Sequence, residues 1–216
     1  MKKLTIIALF VSTLVFVSNV HAQDEGRFGV KAGLNLANMS IGDDADNSMR
    51  TGLHAGFMAK VPLTEKVALQ PELIYSRKGT DIKYDADFLG IDLAEGETNV
   101  RFDYIDIPIY LVFNPVENFN VHAGPYLGLL LGAQVDTQAE ILEGIDINDE
   151  DDIDIDHFNS TEFGLSGGIA FEFDRVSLGV NYNWGLSQIA KDDDVSETLI
   201  GDAKNRVLQV YLGFLF

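Results

Sequence analysis

Residues 176–187, VSLGVNYNWGLS, alternate without a break. Val176, Leu178, Val180, Tyr182, Trp184 and Leu186 fall on one side, and Ser177, Gly179, Asn181, Asn183, Gly185 and Ser187 on the other. A strand sends successive side chains to opposite faces, whereas a helix cannot gather a period of two onto one face. The C-terminal stretch VLQVYLGFLF repeats the pattern with Leu208, Val210, Leu212, Phe214 and Phe216. Six more stretches read the same way. In 27–36, Phe28, Val30, Ala32 and Leu34 oppose Gly29, Lys31, Gly33 and Asn35. In 51–61, Leu53, Ala55, Phe57 and Ala59 oppose His54, Gly56, Met58 and Lys60. The stretches 67–78, 100–113, 119–132 and 162–173 carry apolar sets such as Leu69/Leu73/Tyr75 and Ile105/Ile107/Ile109 against Glu72, Lys78, Asp106, Tyr110, His122 and Glu172.

The pattern predicts eight strands of roughly 10–14 residues, longer than the 5–6 usual in soluble sheets and long enough to cross a bilayer at a tilt. Their connections alternate in length. PLTEK, NPVEN and Asp174–Arg175 are short, while 38–50, 80–98, 134–160 and 189–205 are long. Short periplasmic turns and long outer loops belong to outer-membrane barrels. The expected fold is therefore all-β: an eight-stranded antiparallel up-and-down transmembrane barrel with four long acidic outer loops and both ends of the barrel chain on the periplasmic side. Pro71 and Pro108 fall inside strands, where a closed sheet offers no edge, so local bulges are expected at both.

Charge follows the same division. The formal net charge is −19, and the four long loops hold 24 of the 34 acidic residues against four basic ones. Such a chain repels nucleic acid. Strand aromatics sort by height: Phe28, Phe113, Phe119, Phe173, Phe214 and Phe216 toward the periplasmic rim, and Tyr75, Phe163, Tyr182 and Trp184 toward the outer one, as interfacial girdles do. Arg77 and Asp103 face outward by parity near the outer rim, where a charge costs little. The chain opens with Lys2–Lys3, a 14-residue apolar stretch from Leu4 to Val17, and small residues Val20 and Ala22. That is the layout of a cleaved secretory signal over 1–22, too short to span as a helix, leaving a barrel domain over 23–216. There is no cysteine, hence neither a disulfide framework nor a lipidated N-terminal anchor. The expected location is the outer membrane of a Gram-negative-type cell.

Five strings in order, FGVKAGLNLANMS, QPELIYSRKG, DYIDIPIYLVF, HAGPYLGLLL and the aromatic C-terminus at Phe216, resemble the PorT-like outer membrane β-barrel family over essentially all of 27–216. The resemblance implies a porin-like outer-membrane barrel. The family's namesake is tied to a protein secretion system, and Phe216 is similar to the assembly signal read by the barrel-assembly machinery.

Candidate chemistry is sparse. Lys31, Lys60, Glu72, Lys78, Asp106 and Glu172 point inward by parity and are expected to form an interior polar network that stiffens the barrel, because buried charges require partners. Arg101, His54 and His122 are read as inward too. An eight-stranded interior is about wide enough to be filled by side chains, so a narrow porin-like channel is the alternative. Asp152, Asp154 and Asp156 resemble the opening ligands of a calcium loop, but His157 and Phe163 stand where glycine and glutamate belong, leaving a weak divalent-cation candidate. The trio Asp156, His157 and Ser160 is a short-range coincidence rather than a catalytic arrangement, and no phosphate loop or zinc spacing is present. No cofactor and no catalytic residue are expected. A lipid-modifying enzyme and an accessory role in secretion are lesser readings. Expected partners are outer-membrane lipid, the barrel-assembly machinery during biogenesis, and an envelope or secretion protein.

Overall fold

The computed structural model describes residues 26–40, 47–88, 91–141, 145–152, 159–189 and 203–216. It contains nine antiparallel strands: β1 (Arg27–Ser40), β2 (Asn47–Pro62), β3 (Val67–Phe88), β4 (Ile91–Val116), β5 (Phe119–Ile141), β6 (Ile145–Asp152), β7 (Thr161–Phe173), β8 (Val176–Gly185) and β9 (Lys204–Leu215). Eight of them close a ring. Each strand pairs with its neighbour from β1 to β5, β5 pairs with β7, and the series continues through β8 and β9 back to β1. The ninth, β6, pairs on β5 above the point where β5 leaves β7: Leu129 faces Thr161 of β7, whereas Gln134 faces Asp152 of β6.

The wall is inverted relative to a soluble protein. Phe28, Leu53, Phe57, Leu111, Leu165, Leu178, Trp184 and Leu212 are exposed on the outside, while Lys31, Asn35, Glu72, Lys78, Asp106 and Asn181 are buried inside. An apolar surface of this extent is unstable in water and stable in hydrocarbon. Leu129, on the outward parity, is buried, at the level where β5 changes neighbours.

The periplasmic turns are tight. Asn118 (φ 63°) and Asp174 (φ 53°) occupy the left-handed region, which these two residue types tolerate best after glycine. Between β2 and β3 the Thr64 hydroxyl oxygen accepts from the backbone N–H of Lys66 (3.3 Å) and Val67 (3.1 Å). The segment read as a connection at Asn114–Val116 is strand, so the β4–β5 turn shrinks to Glu117–Asn118.

Three expectations are corrected. Register runs unshifted past Pro71 (opposite Ile109) and Pro108 (opposite Tyr126), so neither proline bears a bulge. A missing N–H removes a bond without inserting a residue, and the β3–β4 pairing lapses between Pro71↔Ile109 and Ile74↔Asp106 while keeping register. The bulges lie elsewhere, between Met49 and His54, Asp103 and Tyr104, Phe113 and Val116, and Ala86 and Asp87. Second, much of the acidic stretches 80–98 and 134–160 is sheet rather than loop: β3 and β4 stay paired up to Phe88↔Ile91, and β5 and β6 up to Ile141↔Ile145. Third, Arg101 alternates with fully buried Phe102, so it faces out.

Candidate functional site

The interior is built in three tiers, each around one lysine. The tier nearest the periplasm joins β2 and β7. Lys60 Nζ lies 2.6 Å from Glu172 Oε2, and Asn120 Nδ2 donates to Glu172 Oε1 at 2.9 Å. This pair floors a periplasmic vestibule of about 650 Å³ whose rim includes Arg27, Glu65, Asp174 and Arg175.

The middle tier joins β1 and β3. Lys31 Nζ lies 2.9 Å from Glu72 Oε2, and Gln70 Nε2 donates to Glu72 Oε1 at 2.8 Å. The ammonium sits 3.9 Å from the centre of the Tyr211 ring. The Asn181 carboxamide oxygen faces Lys31 Nζ and the Tyr110 hydroxyl, both at 3.1 Å, and its nitrogen donates to His122 Nε2 at 2.6 Å. His122 Nδ1 lies 2.8 Å from Asn120 Oδ1, linking this tier to the lower one. Gly168 makes the link possible. A Cβ there would stand 2.3 Å from the Asn181 carboxamide and 2.9 Å from His122 Nε2.

The outer tier joins β3, β4 and β7. Lys78 Nζ lies 2.9 Å from Asp106 Oδ1 and 3.1 Å from Glu162 Oε2. Tyr126 donates to Glu162 Oε1 at 2.5 Å and Asn205 Nδ2 to Oε2 at 2.9 Å. Tyr104 and Tyr126 flank the ammonium at 4.5 and 5.1 Å. All charged groups of the two upper tiers are almost wholly buried.

The six inward charges named from parity thus fall into three pairs: Lys31–Glu72, Lys60–Glu172 and Lys78–Asp106. Glu162, which completes the outer tier, was missed. It is the first residue of the stretch 162–173 read as strand and shares the parity of Gly164 and Ser166, so carrying the alternation to the end of that stretch would have found it. Tyr110 and Asn181 were placed inward without a role. His54 is buried between β1 and β3, and neither ring nitrogen has a hydrogen-bonding partner among the described residues. Of the divalent candidate, Asp152 ends β6, while Asp154 and Asp156 lie outside the described residues, as do His157 and the segment 1–22. Among the described residues no group of three or more acidic, histidine or cysteine side chains could hold a metal ion. Phe216 lies on the lipid face, and its N–H donates to the Phe28 carbonyl at 2.8 Å.

A closed antiparallel barrel with an apolar outside, a hydrogen-bonded polar inside and aromatic rims is the architecture of an outer-membrane protein. Residues 21–191 match the family described as an outer membrane protein beta-barrel domain, and the chain belongs to that family. The protein is accordingly located in the outer membrane, surrounded by its lipid. Among solved structures it is similar to Neisserial surface protein A (14% identity, TM-score 0.48, covering 89% of this chain and 100% of that one). It is also similar to the attachment invasion locus protein Ail of Yersinia pestis (12%, 0.45, 89% and 100%) and to OprG of Pseudomonas aeruginosa (13%, 0.37, 88% and 96%). No curated protein matches the chain.

Proposed function

We propose that this protein is a non-enzymatic, non-conducting barrel that holds an acidic sheet above the outer membrane as an interaction surface. The observation that carries the reading is the filled interior. Lys78, Glu72, Tyr104, Tyr110 and Phe102 are fully buried in the lumen, and ion pairs cross it from Lys60 on β2 to Glu172 on β7 and from Lys78 on β3 to Glu162 on β7. Polar groups that bond one another across the lumen hold one another in place, and the non-conducting reading rests on that packing. The wall meanwhile continues outward as paired strands. β4 has 26 residues, whereas a tilted crossing needs about 9–11, so most of its length stands clear of hydrocarbon. The absence of chemistry in this reading rests on His54 and His122 being sealed inside the barrel.

Residues 1–22 act in this proposal as the cleaved export signal, and the terminal Phe216 as the signal for barrel assembly. The strings that resemble PorT-like barrels lie in the wall portions of β1, β3, β4 and β5, so membership among those barrels is supported as architecture, and a secretion partner remains the second candidate for what the sheet meets. The test is single-channel recording of the full barrel in planar bilayers, together with crosslinking from cysteines placed in the β3–β4 and β5–β6 hairpins. The expected result is a silent bilayer and a discrete crosslinked protein. Resolved unitary conductance steps would sink the closed-barrel reading in favour of a narrow channel.

A further inference from the structure

Between the two aromatic girdles no outward position carries a charge. The first outward charges beyond the outer girdle are Arg77 on β3, Asp103 and Arg101 on β4, and Arg206 and Lys204 on β9. Four cations against one acid make this level net +3, in a chain whose stretches 38–50, 80–98, 134–160 and 189–205 together hold a net −20, Lys204 included. The sign of the surface therefore inverts at one height, the height of the headgroups.

The cations form two patches. Arg77 pairs across to Asp103, with Arg101 diagonal to it, on β3–β4. Arg206 pairs with Trp184 on β8–β9, with Lys204 one outward step above. In the eight-stranded ring these patches lie four strands apart, on opposite sides of the tube. Each is pre-oriented. Arg77 Nε lies 3.1 Å from Asp103 Oδ1, and its Nη2 donates to the Tyr75 hydroxyl at 3.3 Å. Arg206 lies over the Trp184 ring at 5.5 Å, and its Nη1 donates to the carbonyls of Gly185 (2.6 Å) and Asn205 (2.9 Å). Arg101 Nε is buried without a partner among the described residues. A guanidinium has five N–H donors in a planar fork that matches phosphate, and Arg77, Arg101 and Arg206 stand on the outward parity, half-buried.

We propose that the two patches bind the phosphate groups of outer-leaflet lipid, clamping the barrel at a fixed height against the repulsion between its acidic hairpins and an anionic surface. Each basic residue at such a surface is worth roughly fivefold in affinity, so losing three weakens binding on the order of 100-fold. The experiment uses the full-length barrel folded in zwitterionic micelles. It is titrated with lipid A and, separately, with lipid A stripped of phosphate, counting bound lipid by native mass spectrometry. Emission from Trp184, the chain's single tryptophan, gives a second readout of lipid at the β8–β9 patch, beside Arg206. The expected result is binding of the phosphorylated lipid, weakened by salt and lost stepwise in R77Q, R101Q and R206Q and their combination, with K66Q at a periplasmic turn unchanged. Equal binding of both lipids would overturn the proposal, as would wild-type affinity in a triple variant that retains its heat-dependent gel shift. If the triple variant does not fold, wild-type affinity in R101Q overturns it instead. A Trp184 response to inorganic phosphate equal to that for the lipid would overturn the assignment to lipid.

Discussion

Replacing Lys78 by methionine removes the one cation shared by Asp106 and Glu162. The ammonium is 2.9 and 3.1 Å from the two carboxylates, its own side chain is 0% exposed and theirs are 4% exposed. Breaking a buried pair from one side costs about 3–5 kcal/mol, because the partner is left charged in a poorly solvating interior. Here two acids are left rather than one, and the contacts with the Tyr104 and Tyr126 faces go as well. Methionine keeps most of the stem's packing. A loss of about 5 kcal/mol at neutral pH is expected. The assay is reversible urea unfolding in phospholipid vesicles, followed by Trp184 emission, whose indole lies on the lipid face away from the substitution. Adding D106N and E162Q to the Lys78 variant should recover most of the loss, since the residual cost is then polar and no longer ionic. A Lys78 variant within about 1 kcal/mol of the parent would refute the account, because it would show that water already reaches the tier and that the interior is not filled.

Lys60→Met should cost far less, about 1 kcal/mol, because the Lys60 and Glu172 side chains are 11% and 26% exposed at the vestibule; urea unfolding in the same vesicles checks the gradient along the barrel axis. Asn35→Leu should cost about 3 kcal/mol. Asn35 Nδ2 donates to the Arg77 carbonyl (2.9 Å) where the β2–β3 ladder slips, and its oxygen accepts from Gln209 (3.0 Å), so both groups lose their partner. Replacing residues 83–97 by an Asn-Gly turn that joins Ile82 to Thr98 should leave the heat-dependent gel shift intact, since the closed ring lies below that level; loss of the folded band would show that the hairpin belongs to the folding unit.

How far the chain could be read from its residues depended on which solvent each face meets. In the wall, lipid outside and packed polar groups inside impose opposite chemistry on alternate positions, so parity alone assigned Lys31, Lys60, Glu72, Lys78, Asp106 and Glu172 to one side. Pairing was not legible, because Lys31 finds Glu72 two strands away, across β2. Above the membrane both faces meet water and the contrast fades. Ile82, Tyr84, Ala86 and Phe88 do alternate with Asp81, Lys83, Asp85 and Asp87, but the density of acid reads as loop. Arg101 was misplaced at the same boundary, where a charge no longer reveals which way it points. The prolines misled for another reason: strain was expected to appear as an inserted residue, whereas it appears as a gap in the ladder at constant register.

The strands that outrun the wall are neighbours. β3, β4 and β5 are 22, 26 and 23 residues long, with β6 added beside β5, whereas β7, β8 and β9 have 13, 10 and 12. Among the described residues the outer end is thus a blade rising from one arc of the rim and not a crown around it. A molecule approaching from the β3–β6 side meets a broad sheet; from the β7–β9 side it meets, among the described residues, only short strands. If that sheet is the interaction surface proposed above, spin about the membrane normal, which is irrelevant to a symmetric tube, becomes a coordinate of recognition, and an encounter in the plane of the membrane is productive only over part of a turn.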